Sequence, residues 1–88
     1  MRIIFTEPFR RDYGRLPFDA RRALHKALKF FITNPRHRSL RAKKLPGTII
    51  WYARISRAYR FTFEYRDGEV FLRRAGTHDI LSQERFKR

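Results

Sequence analysis

The sequence contains no cysteine, few acidic residues and no long apolar segment. Without cysteine the chain can form neither disulfide bonds nor thiolate zinc sites, and nothing in it favours an oxidising compartment. No run of about 18 apolar residues is present, so no membrane span is expected. The opening residues, MRIIFTEPF, are interrupted by Glu7 and Pro8 too early for a signal peptide. We therefore expect a cytoplasmic protein without a membrane partner.

The chain has only 8 Asp and Glu residues but 22 Lys and Arg residues, which gives a formal net charge of +14. Such an excess opposes the compact state by self-repulsion and attracts polyanions. Nucleic acid, an acidic protein and an anionic membrane surface all match this charge. With 88 residues, 42% of them hydrophobic, the chain is long enough for one modest core. Residues 1–88 are therefore predicted to form a single domain.

The usual signatures of metal and cofactor chemistry are also missing. His25, His37 and His78 have no local ligand spacing, and the carboxylates are scattered. The chain has no glycine-rich phosphate loop and no serine or cysteine nucleophile motif. We expect no metal and no cofactor.

Apolar residues recur at helical spacing in the first half of the chain. Between Phe18 and Asn34 they follow the i, i+3, i+4 pattern of a helix that packs on a core, and Pro35 ends it. Thr6 can cap an earlier, shorter helix for which Gly14 is a suitable end. The apolar stripe of the longer helix consists of Ala20, Ala23, Leu24, Ala27, Leu28 and Phe31.

The second half alternates between apolar and polar residues on both sides of Asp67–Gly68. Asp-Gly between two alternating runs is a strong hairpin signal, because a type I′ turn needs positive φ at both central residues. One face of this hairpin is aromatic and the other is polar. The pairs that a two-residue turn predicts are Tyr65 with Val70, Phe63 with Leu72 and Arg60 with Ala75.

These elements give the order β-α-α-β-β-β. Helices followed by a meander indicate an α+β fold, an antiparallel four-stranded sheet with two helices packed on one face. The first strand is expected at an edge, and Ser82–Arg88 is expected to be a polar tail with a single helical turn through Phe86. The predicted strands are Arg2–Thr6, Ile49–Arg57, Tyr59–Arg66 and Glu69–Gly76.

The loop before Tyr59 decides which side chains share a face. If Trp51 and Ile55 lie on the aromatic side, the loop must hold an odd number of residues, and we infer three, Ser56–Ala58. This register places Arg54 directly opposite Arg60. Like charges in that position are unfavourable by up to about 1 kcal/mol, and a bound anion between them would offset the repulsion.

The segment Arg36–Gly47, RHRSLRAKKLPG, has no carboxylate and is called the connector here. We expect it to have no regular structure. A long connector of this kind is often functional, although a run of charge is more commonly a solvated loop.

The polar face of the meander carries the candidate functional residues, and His78 leaves the last strand beside them. Arginine forks match phosphate oxygens, Tyr52 could stack on a base, and histidine can pass a proton near neutral pH. Exposed arginines on a sheet are also ordinary, and His78 could simply cap a turn with Asp79. The spacing favours nucleic-acid binding over catalysis. The residues of the polar face are Tyr52, Arg54, Arg60, Thr62 and Arg73.

The connector and the meander resemble the RelE/ParE toxin superfamily, including its YoeB and YafQ branches. No single motif is specific, but their order and spacing together are. The matching motifs are Leu45-Pro46-Gly47, Trp51–Arg54, Tyr59-Arg60 and Gly76-Thr77-His78.

The resemblance implies a ribosome-dependent mRNA endoribonuclease that needs no metal, works through the RNA 2′-hydroxyl, and inhibits translation as the toxin of a type II toxin–antitoxin system. It implies that Arg60 and Arg54 stabilise the phosphate and that His78 acts in proton transfer. The expected partners are mRNA, the ribosome and a cognate antitoxin, acidic or partly disordered. The residues expected to bind RNA are Arg41, Lys43, Lys44, Tyr52 and Arg73.

The sequence departs from the YoeB-like pattern in one respect that bears on catalysis. The connector has Arg38, Ser39 and Leu40 where such members carry a general-base glutamate, and His37 is the remaining candidate base. Two other functions therefore stay open: a ParE-like inhibitor of DNA gyrase with no enzymatic activity, for which His78 would be dispensable, and a non-catalytic RNA-binding protein.

Overall fold

The computed structural model describes residues 2–86, with the side chain of Phe86 excluded. It contains five strands, three α-helices and a 3-10 turn, Arg38–Leu40. No helix in this part of the chain is long and apolar enough to cross a membrane. In chain order the elements are β1 (Arg2–Phe5), α1 (Glu7–Arg15), α2 (Phe18–Thr33), β2 (Lys43–Lys44), β3 (Trp51–Arg54), β4 (Tyr59–Arg66), β5 (Glu69–Thr77) and α3 (Ile80–Phe86).

The five strands form one mixed sheet in the order β1-β5-β4-β3-β2. The α+β class and the position of β1 at an edge are confirmed, but the prediction of four antiparallel strands is wrong. β1 runs parallel to β5 because a helical crossover, not a hairpin, carries the chain from β1 to the far edge. The fifth strand, Lys43–Lys44, lies inside the connector and pairs with β3, although its sequence has no strand pattern.

The main core lies between α2 and the aromatic face of the meander. Phe31 of α2 packs edge-on against Phe61 and Phe63, with ring centroids 5.5 and 4.8 Å away. Leu24 faces the same sheet and is fully buried. Complete burial of such side chains contributes roughly 1.5–3 kcal/mol each, so this face fixes the register of the whole meander.

A β-bulge between Thr62 and Phe63 shifts the β4–β5 register by one residue. Phe63 still pairs with Leu72 as predicted, but Arg60 lies opposite Gly76 instead of Ala75. The reason is that the core takes both Leu72 and Ala75. Strict alternation cannot place residues three apart on the same face, so one extra residue enters the strand.

The carboxylate of Asp12 attaches α1 to the free edge of β5. β1 ends at Phe5, so beyond Leu72 no strand of the described residues pairs with that edge. Asp12 accepts a hydrogen bond from the backbone N–H of Ala75 at 3.0 Å and forms an ion pair with Arg74 at 2.6 Å. Asp12 is buried, and its hydrogen bond raises the pKa of Arg74 above the usual arginine value.

A third helix covers part of the face that was expected to be open. Ile80 and Leu81 of α3 pack with Leu45 and Ile50 in a second, smaller core. The predicted tail is therefore a docked helix that begins two residues earlier than expected, and Lys87 and Arg88 lie outside the described residues. Helices consequently lie on both faces of the sheet, and the expectation of a single helical face is wrong.

Candidate functional site

Arg54 and Arg60 lie directly opposite each other at one end of the sheet, as the parity of the loop predicted. The loop is closed by hydrogen bonds from the backbone N–H groups of Ile55 and Ser56 to the carbonyl of Tyr59, at 3.0 and 3.2 Å. Both arginine side chains are partly exposed. Neither is sealed beneath a helix, so both remain accessible to a ligand.

The guanidinium of Arg60 is held in place by the loop that it follows. Its Nη1 donates to the carbonyl oxygens of Ser56 at 2.6 Å, Tyr59 at 2.9 Å and Arg57 at 3.2 Å. Within residues 2–86, Nε and Nη2 have no hydrogen-bond partner. A guanidinium fixed on one side and free on the other is suited to a phosphate oxygen, since little side-chain freedom is lost when the phosphate binds.

Besides Arg54, the side chains of Arg41 and Tyr52 act electrostatically on Arg60. Burial lowers the pKa of Arg60, the positive charges of Arg54 and Arg41 lower it further, and Tyr52 opposes them. We call Arg41, Tyr52, Arg54 and Arg60 the arginine cluster. The ion pairs present among residues 2–86 involve other arginines, namely Arg2, Arg66, Arg73 and Arg74.

The lowered pKa of Arg60 means that the fold disfavours its charged form. Arginine is protonated in both the folded and the unfolded chain near neutral pH, so this cost to stability is present throughout that range and would be relieved only in strong alkali. A bound anion relieves it at neutral pH, because opposite charge favours the protonated state. The cluster therefore carries a repulsion that phosphate would relieve.

His78 lies at the same end of the sheet as the arginine cluster. Tyr59 pairs with Thr77, the last residue of β5, and His78 follows immediately. Its side chain is exposed, and its carbonyl accepts a hydrogen bond from the N–H of Leu81 at the start of α3. The residue is accessible to solvent and next to the strand end that carries Arg60.

Arg73 has a different environment from Arg54 and Arg60. Its Nη2 is 2.9 Å from Glu84 and its Nη1 is 3.3 Å from Glu64, and both carboxylates are buried. Thr62, fully buried, donates to Glu84 at 3.3 Å. Arg73 therefore compensates two buried carboxylates, Glu64 of β4 and Glu84 of α3.

Glu84 was missed by the sequence reasoning, although a signal was present. Ile80, Leu81 and Glu84 have the spacing of one helix face, and that face docks on the sheet. Reading the segment as a helix would have placed a carboxylate over the polar side of the meander.

The remaining residues expected to bind RNA extend from the arginine cluster. Lys43 and Lys44 are exposed on β2, and Lys43 pairs with Tyr52. Tyr52 also packs against the small core of Leu45 and Ile50, so only part of its ring is accessible. These residues extend a cationic surface from the cluster to the edge of the sheet.

The ring of His37, the histidine of the connector, takes part in structural contacts. The Nδ1 of His37 accepts the backbone N–H of Ser39 at 3.1 Å, and its ring stacks on Phe30 at 4.3 Å. Neutral His37 then carries its proton on Nε2 and offers no free base. Among residues 2–86, no three His, Asp or Glu side chains are grouped so that they could hold a metal ion.

The chain matches no protein-family profile and no curated protein sequence. Its fold is similar to that of YafQ from E. coli strain BL21(DE3), with a TM-score of 0.75, 17% identity, and coverage of 92% of this chain and 98% of YafQ. The YoeB/ParE toxin from Agrobacterium tumefaciens gives a TM-score of 0.73 at 18% identity, covering 89% of this chain and 99% of that one.

A chain of the E. coli RelBE toxin–antitoxin complex gives a TM-score of 0.67 at 24% identity, covering 86% of this chain and 94% of that one. At these identities the likeness establishes the fold, and the RelE-like fold implied by the sequence resemblance is confirmed.

Proposed function

We propose that this chain is the toxin of a type II toxin–antitoxin pair and that it cleaves mRNA on the ribosome without a metal ion. The observation that carries the proposal is the arginine cluster, in which Arg54 and Arg60 lie opposite each other with no carboxylate to balance them within residues 2–86. The named toxins YafQ, YoeB/ParE and RelE share the fold.

In the proposed reaction the RNA 2′-oxygen attacks the adjacent phosphorus, the P–O5′ bond breaks, and a 2′,3′-cyclic phosphate forms. Arg54 and Arg60 stabilise the charge that grows on the phosphate oxygens, the preorganised electrostatic effect that commonly dominates such catalysis. His78 gives its proton to the leaving 5′-oxygen.

The proton of the 2′-hydroxyl passes to water in this scheme. The buried carboxylates Asp12, Glu64 and Glu84 are all ion-paired. The Nδ1 of His37 already accepts the N–H of Ser39, and the proton of the neutral ring is on Nε2, so neither nitrogen is available as a base. A reaction without a strong general base is slow on free RNA, which fits a toxin that depends on the ribosome to orient its substrate.

The proposed partners follow from charge. A protein of +14 is attracted to ribosomal RNA, and an acidic, partly disordered antitoxin would associate rapidly and in a salt-sensitive manner. RelBE and DinJ–YafQ are complexes of toxins that share this fold, which supports a protein partner of the same kind here.

A ParE-like gyrase inhibitor is the second candidate, because a neighbour in structure carries the name YoeB/ParE. Induced expression followed by pulse-labelling separates the candidates. We expect incorporation of labelled amino acid to stop before that of thymidine, and Arg60→Ala/His78→Ala to abolish the arrest.

An exposed variant, Arg22→Ala, serves as the control and should arrest cells like the native chain. If thymidine incorporation stopped first and His78→Ala had no effect, the chain would be a ParE-like gyrase inhibitor and the proposal would be wrong. If neither synthesis stopped, the chain would be a non-toxic RNA-binding protein.

A further inference from the structure

A cleft of about 460 Å³ lies between the connector and the aromatic face of β3 and β4, on the opposite side of the sheet from Arg54 and Arg60. Its volume falls within the usual range of small-ligand sites, roughly 300–1,000 Å³. It was not anticipated from the sequence, where the connector read as an unstructured loop. We call it the connector cleft, and its walls include Arg36, Arg38, Arg41, Trp51, Phe63 and Tyr65.

One wall of the cleft is aromatic. The rings of Trp51 and Phe63 are stacked at 19°, with centroids 6.4 Å apart, and Tyr65 meets Trp51 edge-on at 6.2 Å. Phe63 is fully buried, Trp51 is half-buried, and Tyr65 is 46% exposed. Two accessible rings on a rigid base form a surface on which a flat ligand can stack.

The opposite wall is cationic. Arg36, Arg38 and Arg41 are exposed, and none belongs to an ion pair of the described chain. Their charge is concentrated at a site of limited volume without a neutralising carboxylate among its lining residues. Guanidinium groups so placed bind phosphate in a bidentate manner.

The cleft is held in shape without a ligand. Asn34 accepts the N–H of Arg36 at 3.0 Å, and the ring of His37 caps the 3-10 turn and stacks on Phe30. Leu40 anchors the turn in the main core with 1% exposure. A preformed site of this kind loses little conformational entropy when it binds.

We propose that the connector cleft binds one base and its phosphate in single-stranded RNA. The arginines alone would be enough to bind an acidic peptide. The aromatic wall opposite them adds a stacking surface, which matches a ligand that is both flat and anionic. Arg41 lines the cleft and also acts electrostatically on Arg60, so its charge serves both sites. The inference rests on the proposed function for its ligand class.

Trp51 is the only tryptophan of the chain, so intrinsic fluorescence reports directly on the cleft. The native protein is titrated with 2′-O-methyl hexaadenylate RNA, which has no free 2′-hydroxyl and is not cut. We expect saturable quenching of Trp51. Tripolyphosphate and a hexaglutamate peptide, which carry charge without a base, should leave the fluorescence nearly unchanged.

Substitution then tests both walls. Tyr65→Ala should weaken binding about tenfold, the effect of losing a stacked base. Arg36→Ala/Arg38→Ala should lower the slope of log affinity against log salt by about 0.7 for each lost phosphate contact. The matched control, Arg11→Ala/Arg22→Ala, removes the same charge from exposed helical positions and should change neither quantity by as much.

Equal quenching by hexaglutamate would assign the cleft to an acidic peptide and overturn the inference. A connector variant that behaves like its matched control would overturn it as well. The two proposals fail separately: mRNA cleavage without a Trp51 response refutes the cleft alone, and a Trp51 response without cleavage refutes the proposed function alone.

Discussion

Replacing Arg73 with methionine should destabilise the fold rather than remove a contact with RNA. Nε and Nη2 of Arg73 lie 3.0 and 2.9 Å from one oxygen of Glu84, which is 1% exposed. Arg66 still pairs with Glu64 at 2.9 Å after the substitution, but Glu84 keeps only its hydrogen bond from Thr62 at 3.3 Å. A buried carboxylate without an ion-pair partner is therefore left behind.

Breaking a buried ion pair in this way costs about 3–5 kcal/mol. A domain of this kind has a total stability of about 5–15 kcal/mol, so the loss should be plain in urea unfolding followed by circular dichroism.

The double variant Arg73→Met/Glu84→Leu separates charge compensation from packing. Apolar replacement of both partners is often neutral, so most of the lost stability should return. Arg38→Met, at an exposed position without an ion pair among the described residues, is the control and should change stability by less than about 0.5 kcal/mol. A loss below about 1 kcal/mol in the single variant, or no recovery in the double, would refute the reasoning.

Three other substitutions test the fold and the site. Asp12→Ala should cost about 3 kcal/mol in thermal unfolding, because the N–H of Ala75 loses its acceptor, and a neutral result would contradict this role. Gly76→Ala should lower the thermal unfolding temperature, since the added methyl carbon would lie 2.9 Å from Ile80; in an Ile80→Ala background, which has already lost core packing, it should cause little further loss if the clash is the cause. Arg54→Gln should raise the unfolding free energy by up to about 1 kcal/mol at low salt while weakening RNA binding; a loss of stability would contradict the predicted repulsion.

The sequence predicts the part of the fold that the hydrophobic pattern controls. The parity of the loop before Tyr59, together with the aromatic alternation, determined the pairing of Arg54 with Arg60. The bulge was also encoded, since two arginines separate the inward-facing Leu72 and Ala75. The predicted pairing of Arg60 with Ala75 is wrong because it takes the apolar and polar residues of β5 to alternate strictly.

Elements that depend on docking could not be read in the same way. Lys43–Lys44 becomes a strand only because β3 offers a partner edge, and α3 forms against Leu45 and Ile50. For the same reason, local sequence did not distinguish Arg73 from Arg54 on the polar face. The carboxylate of Glu84 lies only 11 residues further along the chain, but it reaches Arg73 only because α3 docks on the sheet.

Cleavage of a defined mRNA in a reconstituted translation reaction, mapped by primer extension, tests the role of the arginine cluster most directly. Arg54→Gln/Arg60→Gln should reduce cleavage by at least about 100-fold, and His78→Gln should reduce it separately. The charge-matched Arg11→Gln/Arg22→Gln should cleave at the native rate. Undiminished cleavage by a folded Arg54→Gln/Arg60→Gln variant, or an equal loss in the charge-matched control, would contradict the assignment of phosphate stabilisation to these two guanidinium groups.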